Sequence, residues 1–342
     1  METIQEKFFI SDRAYELLDI LKKSKSWYLP AELSTKMKLR REALFELVDE
    51  LDKVGYGLEF HPYFGFRLID LPNSFIPGEI ISNLNINVLN KGLHVLKDSH
   101  SAMRSAIEML SKGEADEGSV LLADEQSDIK AWGGHDWFST GDYGICLAVV
   151  MKLPSLEVDK KLYLNLVGTL STAYTLTDNV HIPAKILMPS GIYVYDKKIA
   201  NILVGQHPEM PEYFVLGINI NVNMDRETIP EEFADHATSV MIERGSSMNR
   251  NEILRYLLFN LDNLLNKLRK RKYRPLETLW QDYCALKPRE KGQEVSVNVK
   301  TADSEIEGTV ISSDPIKGLT IKTSDEEKLI PVMDLQKITI IK

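Results

Sequence analysis

The spacing of apolar residues changes its period along the chain, and each change marks a different kind of element. Between residues 9 and 70, Ala14, Leu17, Leu18, Ile20 and Leu21 recur at helical spacing and predict a first helix. Pro30 opens a second, ahead of Ala-Glu-Leu-Ser-Thr-Lys-Met. After a short Lys38-Leu-Arg turn, residues 41–54 predict a third helix, closed by Gly55 in the C-cap position. Residues 56–60 and 65–69 then alternate as two strands around His61-Pro-Tyr-Phe.

The pattern loosens over residues 71–85, where Pro72, Asn73, Pro77 and Gly78 predict a linker. Residues 93–96 predict a strand and 101–111 a helix with Met103, Ile107 and Leu110 on one face. Apolar runs at 120–123 and 145–150 predict two buried strands on either side of a polar loop that carries Trp132, Gly133, Gly134, His135 and Trp137. A helix over 160–177 follows, then strand pairs at 184–188 with 192–195 and at 199–205 with 213–223. Helices over 251–271 and 275–286 complete this part. Helices against a mostly antiparallel sheet make an α+β layer. From residue 290 the period shortens to two. Alternating stretches at 295–299, 305–312, 318–323, 327–331 and 335–341 predict a small SH3-like β-barrel with no evident catalytic group. The expected division is 1–70, a linker at 71–85, 86–287 and 288–342.

Helix, helix, turn, helix and a two-stranded wing is the winged-helix arrangement, whose third helix enters the DNA major groove. Lys36, Lys38, Arg40 and Arg41 cluster where base and phosphate contacts would lie, which makes DNA an expected partner. The charge balance works against it. The same helix carries Glu42, Glu46, Asp49, Glu50 and Asp52, and residues 1–70 hold 11 Lys plus Arg against 13 Asp plus Glu, a net of −2. Carboxylates facing phosphates weaken the counterion-release contribution that supplies most affinity.

Composition narrows the rest. The 342 residues carry a net charge of −9, so a nucleic-acid role must rest on a local patch. Cys146 and Cys284 are far apart and fit no metal-ligand spacing. His100 and His135 have no second ligand at suitable spacing, so no metal is expected. The start, Met-Glu-Thr-Ile-Gln-Glu-Lys, lacks the basic and apolar segments of a signal peptide, and no apolar run approaches eighteen residues. A cytoplasmic location without membrane contact is the expectation.

The local motifs, taken in order, resemble those of one family. Lys97-Asp-Ser-His-Ser-Ala-Met is similar to an Asp-Ser-Thr-Asn turn, and Ala123-Asp-Glu-Gln to a strand end that closes on Gln. Trp137-Phe-Ser, the segment Tyr193-Val-Tyr-Asp-Lys-Lys-Ile-Ala and the strand Gly217-Ile-Asn-Ile-Asn-Val-Asn-Met follow in the matching order. Together with the three predicted domains, they resemble the biotin–protein ligases that double as biotin operon repressors. The resemblance implies a pocket that includes Ser99, His100, Ser101, Gln126, Lys130, Trp132, Trp137, Leu187, Asn201, Asn219 and Asn221. It also implies biotin, ATP and a biotinyl-adenylate as ligands, and a homodimer.

The groups that perform the family's chemistry are replaced. Without a gap after Gln126, Ile129-Lys-Ala-Trp stands where the family has Gly-Arg-Gly-Arg, so Lys130 is the one cation left and Trp132 fills the second Arg slot. Asp124, Glu125, Asp128 and Asp136 surround them with the wrong sign for a triphosphate. The Lys-Trp-Pro-Asn-Asp motif reads Leu187-Met-Pro-Ser-Gly, which puts Leu187 in the slot of the bridging lysine and leaves Lys185 as a displaced substitute. Two glycines of the pocket floor become Asn201 and Asn219. The expected function is a catalytically degenerate, ligase-like transcriptional regulator. It would have a winged helix for DNA and a ligase-like domain for dimerisation or for an unidentified small effector. The alternatives are a divergent ATP-dependent biotin–protein ligase or related acyl transferase, and a protein-interaction module that binds no DNA.

Overall fold

A computed structural model describes residues 10–23, 26–72, 74–81, 84–99, 101–126, 143–153, 159–286 and 294–341. In the first unit, helices α1 (Asp12–Lys22), α2 (Pro30–Met37) and α3 (Arg41–Lys53) precede a hairpin of β1 (Gly57–His61) and β2 (Gly65–Asp70). Local chemistry sets the boundaries. Ser11 caps α1 by accepting from the Ala14 amide at 3.2 Å, Pro30 starts α2, and Lys38 ends it in the left-handed conformation. Leu17, Leu18, Leu21, Leu33, Leu44 and Leu51 meet in one core under Phe66. The hairpin closes onto that core through paired backbone bonds between Tyr28 and Phe66, at 2.8 and 2.9 Å. A Cβ at Gly65 would lie 2.0 Å from the Tyr28 carbonyl oxygen, so only glycine permits this approach.

Within the expected linker, several of the described residues are packed rather than exposed. Phe75, Ile76 and Ile80 are buried, and a short helix α4 (Pro77–Ile81) packs on the long α8 (Arg250–Arg269). Proline at the head of α4 fits a first helical position as well as it fits a turn, and the apolar residues around it decide the outcome. Glu79 of α4 forms a junction between units. Its carboxylate pairs with Lys22 of α1, accepts from the Tyr56 hydroxyl at 2.6 Å and from the Asn251 amide at 3.3 Å. Arg255 donates to the backbone carbonyls of Glu79 and Ile80 at 2.6 and 3.0 Å.

The central sheet has seven strands in the order β3-β4-β5-β9-β8-β7-β6. They are β3 (Leu93–Ser99), β4 (Val120–Gln126), β5 (Gly144–Lys152), β6 (Ala184–Leu187), β7 (Gly191–Val194), β8 (Lys197–Gln206) and β9 (Tyr213–Asn221). Only the β3–β4 pair is parallel. One face is covered by α6 (Lys160–Tyr174) and α8, which bury the alternate residues Leu122, Leu147, Ile202, Leu216 and Ile218. The predicted helix over 160–177 does not stay regular, because its last turn widens into a π-helix at Thr175–Asn179. On the other face α5 (Ala102–Ser111) covers Leu96, Leu121, Cys146, Ala148 and Val215 at the β3 side.

After α9 (Tyr273–Tyr283) comes a five-stranded antiparallel sheet in the order β13-β12-β11-β10-β14. Its strands are β10 (Ser296–Lys300), β11 (Glu305–Asp314), β12 (Gly318–Lys322), β13 (Glu327–Ile330) and β14 (Lys337–Ile341). Cys284 Sγ meets Ser313 Oγ at 3.1 Å where this sheet seats against the central unit. Among the described residues no helix is long and apolar enough to cross a membrane, and no group of His, Cys, Asp and Glu is placed to hold a metal ion.

Candidate functional site

Strand register assembles residues that are far apart in sequence. The pairings Leu96–Ala123–Cys146–Asn219–Asn201–Gly191–Leu187 form one row across all seven strands. Side chains directly opposite each other in a sheet share a face, so the whole row lies on the face away from α6 and α8. Leu96, Ala123 and Cys146 sit under α5. Past them the row turns polar: Asn219, then Asn201, which is 0% exposed, and finally Gly191 and Leu187.

A β-bulge brings a cation to the same place. Ile192 pairs with Ala200 but Tyr193 pairs with Lys198, which leaves Ile199 as an extra residue in β8. An extra residue reverses the alternation, so Lys198 shares a face with Asn201 three positions on. Its ammonium donates to Asn201 Oδ1 at 2.9 Å. Burial makes the charged form costly and holds the Lys198 pKa down at about 8. Tyr193 joins from the neighbouring strand: a Cβ on Gly191 would lie 2.5 Å from its ring, so the ring rests over Gly191. Burial pushes the Tyr193 phenol pKa up, so the hydroxyl keeps its proton.

The rim is built from strand ends. Lys198 and Asn221 lie at the end of the sheet where β4 finishes at Gln126 and β5 begins at Gly144. Asn221 is committed to structure, donating to the Thr238 carbonyl at 3.0 Å. The backbone of 236–238 runs beside Lys198, which donates to His236 O at 2.8 Å while its own carbonyl accepts from Thr238 at 3.0 Å. Ser99 ends β3 opposite Gln126. Its hydroxyl is taken by Ser105 Oγ at 2.9 Å and by the Ser101 amide at 3.1 Å, which shapes the start of α5. Ser101 occupies the N-cap of α5, yet its hydroxyl makes no capping bond.

The expected site residues therefore separate. Leu187, Asn201 and Asn219 come together in one row, and Asn221, Ser99 and Ser101 stand at its edge. His100, Lys130, Trp132 and Trp137, and the side chain of Gln126, lie outside the described residues. Lys185 is exposed and donates to the Asp282 carbonyl at 2.9 Å, beside the Tyr283 ring, which ties it to α9. Lys36, Lys38, Arg40 and Arg41 are all exposed at the junction of α2 and α3. Lys36 is paired with Glu32 at 2.8 Å, and the Arg41 guanidinium lies 5.7 Å from the Phe45 ring. Lys198 and Tyr193 were passed over in the sequence. Their signal was the segment Tyr193-Val-Tyr-Asp-Lys-Lys-Ile-Ala, but a bulge leaves no mark in a single sequence, and simple alternation puts Lys198 on the face opposite Asn201.

No family model matches the chain. The bifunctional ligase/repressor BirA of Bacillus spizizenii is 23% identical over 324 residues, covering 94% of this chain and 97% of that protein. The protein of the same name from Bacillus subtilis is 22% identical with the same coverage. Among solved structures, the biotin protein ligase from Aquifex aeolicus in complex with biotin and ATP matches with a TM-score of 0.62 at 24% identity, over 73% of this chain and 100% of that one. A biotin protein ligase-like protein of unknown function from Silicibacter matches with a TM-score of 0.54 at 12% identity, over 73% of this chain and 97% of that one. The structures share the fold, and the sequence similarity runs along almost the full length. The chain is thus similar in sequence to bifunctional ligase/repressors along almost its whole length and shares the fold of biotin protein ligases.

Proposed function

We propose that this chain is a catalytically degenerate member of the family of bifunctional biotin–protein ligase/repressors. It acts as a transcriptional regulator that binds DNA through α1–α3 and the β1–β2 wing, and it senses a ligand or dimerises through the central unit. The observation that carries this reading is the filled row. Where the resemblance places bare glycine backbone under biotin, Asn201 is buried and its amide oxygen holds the Lys198 ammonium, with Asn219 directly beside it. Glycines at such positions let a ligand lie against the main chain, and two asparagine side chains remove that space. Leu187, at the end of the row, brings no charge to an adenylate. Loss of one electrostatic group of that kind costs about a hundredfold or more in rate.

The DNA half of the reading rests on the exposed cations at the head of α3 and on the word repressor in the names of both BirA relatives. The full-length protein is expected to retard duplex DNA in a low-salt gel shift and to leave a footprint on its site. Arg40→Ala with Arg41→Ala should abolish the complex, and rising salt should dissolve it. If no complex forms at low salt, with or without added metabolite extract, the regulator reading is wrong.

A second reading, a divergent ligase, is favoured by Lys198 itself. A half-buried ammonium on the pocket face is the group that a carboxylate or phosphate requires, and it stands two strands from the slot that Leu187 leaves uncharged, with β7 between them. In that reading Lys198 supplies the missing cation.

A further inference from the structure

The first unit exposes a set of aromatic rings that neither its core nor a DNA-reading helix requires. Tyr63 is 82% exposed and Phe64 55%, at the turn between β1 and β2, and Phe60 and Phe45 are exposed close by. These rings are held in place. His61 stacks on Phe64 with centroids 4.5 Å apart and planes 26° apart, and Trp27 meets both rings at 5.8 and 6.0 Å. The Arg67 guanidinium covers Trp27 at 4.6 Å. On the other side of the hairpin, Phe60 packs on Phe66 at 4.9 Å and on Phe45 at 6.0 Å. Exposed, ordered apolar surface of this kind marks a contact site.

The cations at the head of α3, where the Arg41 guanidinium lies 5.7 Å from the Phe45 ring, say what kind of contact. Among the described residues Lys38, Arg40 and Arg41 make no ion pair, and α3 begins beside them without a side-chain cap. Arg67, by contrast, is neutralised by Glu59. Cations without an ion pair and uncapped amide donors at a helix start suit phosphate, while the exposed aromatic faces of the hairpin suit nucleobases. A unit with a net charge of −2 over residues 1–70 has little electrostatic attraction to spend on DNA, so stacking would supply what charge does not.

Building on the DNA-binding reading above, we infer that the wing tip Pro62-Tyr63-Phe64 is a wedge that unstacks a base step in the duplex held by α3. Apolar side chains used in this way kink the duplex and prefer steps that open at low cost. A mismatch removes part of the unstacking cost in advance, so the wedge must favour mismatched DNA.

The test uses the full-length protein and two 30-base-pair duplexes, one fully paired and one with a central two-base mismatch flanked by 2-aminopurine. Wild type is expected to bind the mismatched duplex roughly tenfold more tightly, with a rise in 2-aminopurine fluorescence. Tyr63→Ser with Phe64→Ser should bind both duplexes equally and leave the fluorescence flat. Both residues are exposed, so an unchanged thermal midpoint checks that the variant is folded. Equal wild-type affinity for the two duplexes without a fluorescence change overturns the wedge while leaving DNA binding intact. Binding to neither duplex overturns the DNA-binding reading and the wedge with it. A dimer that becomes monomeric in the double variant identifies the rings as a self-interface and also overturns the wedge.

Discussion

Replacing Glu79 with alanine is expected to cost about 1–3 kcal/mol of stability and to split one calorimetric unfolding transition into two. The carboxylate is 7% exposed and has partners on three elements: Lys22 on α1, Tyr56 before β1 and Asn251 on α8. Truncation leaves the buried Tyr56 hydroxyl without its acceptor and removes the ion pair of the exposed Lys22, while Asn251 keeps the Ser74 carbonyl at 3.2 Å. Burial and the Glu79 charge both push the Tyr56 phenol pKa far up, so this hydroxyl remains a donor with nothing to donate to once the carboxylate is gone. Glu79→Gln keeps the shape and an acceptor for Tyr56 and loses only the ion pair, so its loss should fall between wild type and alanine. A single transition with an unshifted midpoint in Glu79→Ala would show that the first unit does not depend on this junction.

The second large effect is a change of stability with pH at Lys198. Its folded pKa, about 8, lies below the ordinary lysine value of about 10.4, because burial penalises the ammonium. The unfolded chain therefore binds more protons than the folded one between these values, and this group makes stability rise with pH across that window. Below pH 8 both states are charged and the full penalty applies. Lys198→Met removes the penalty, so the variant gains on wild type most below pH 8 and the gain fades towards pH 10. The Asn201 amide left behind offsets the whole difference curve without changing its slope. Urea midpoints at pH 7, 9 and 10 measure it, and a difference that is flat with pH would contradict the burial of that charge. The same titration weakens any anion bound by Lys198 as pH rises through 8.

How much of this was visible in the sequence depended on how local the signal was. The helical spacing of Leu17, Leu18 and Leu21 and the unbroken apolar run of β5 specify their elements without help from elsewhere. The reading of Asn201 and Asn219 as replacements for glycines rests on the resemblance of the motifs around them. Their convergence was not legible in the sequence. Asn201, Asn219, Gly191 and Leu187 meet only through strand register, which is a long-range property. Lys198 was hidden by a bulge that inverts its face. In the stretch 71–85, Pro77 and Gly78 carry turn chemistry, while burial of Phe75, Ile76 and Ile80 against α8 overrides it. The π-helical turn after α6 has no sequence signature either. There Asn260 of α8 donates to Thr175 Oγ1 and Asn179 Oδ1, each at 3.0 Å.

The filled row carries the proposed function, which predicts that the protein does not activate biotin. Pyrophosphate release from ATP in the presence of biotin, with magnesium and a carboxyl-carrier acceptor, measures this directly. Release is expected at the level of a protein-free control, unchanged by Lys198→Ala. Steady turnover that requires biotin and disappears in Lys198→Ala would contradict it and make Lys198 the working cation of an active ligase.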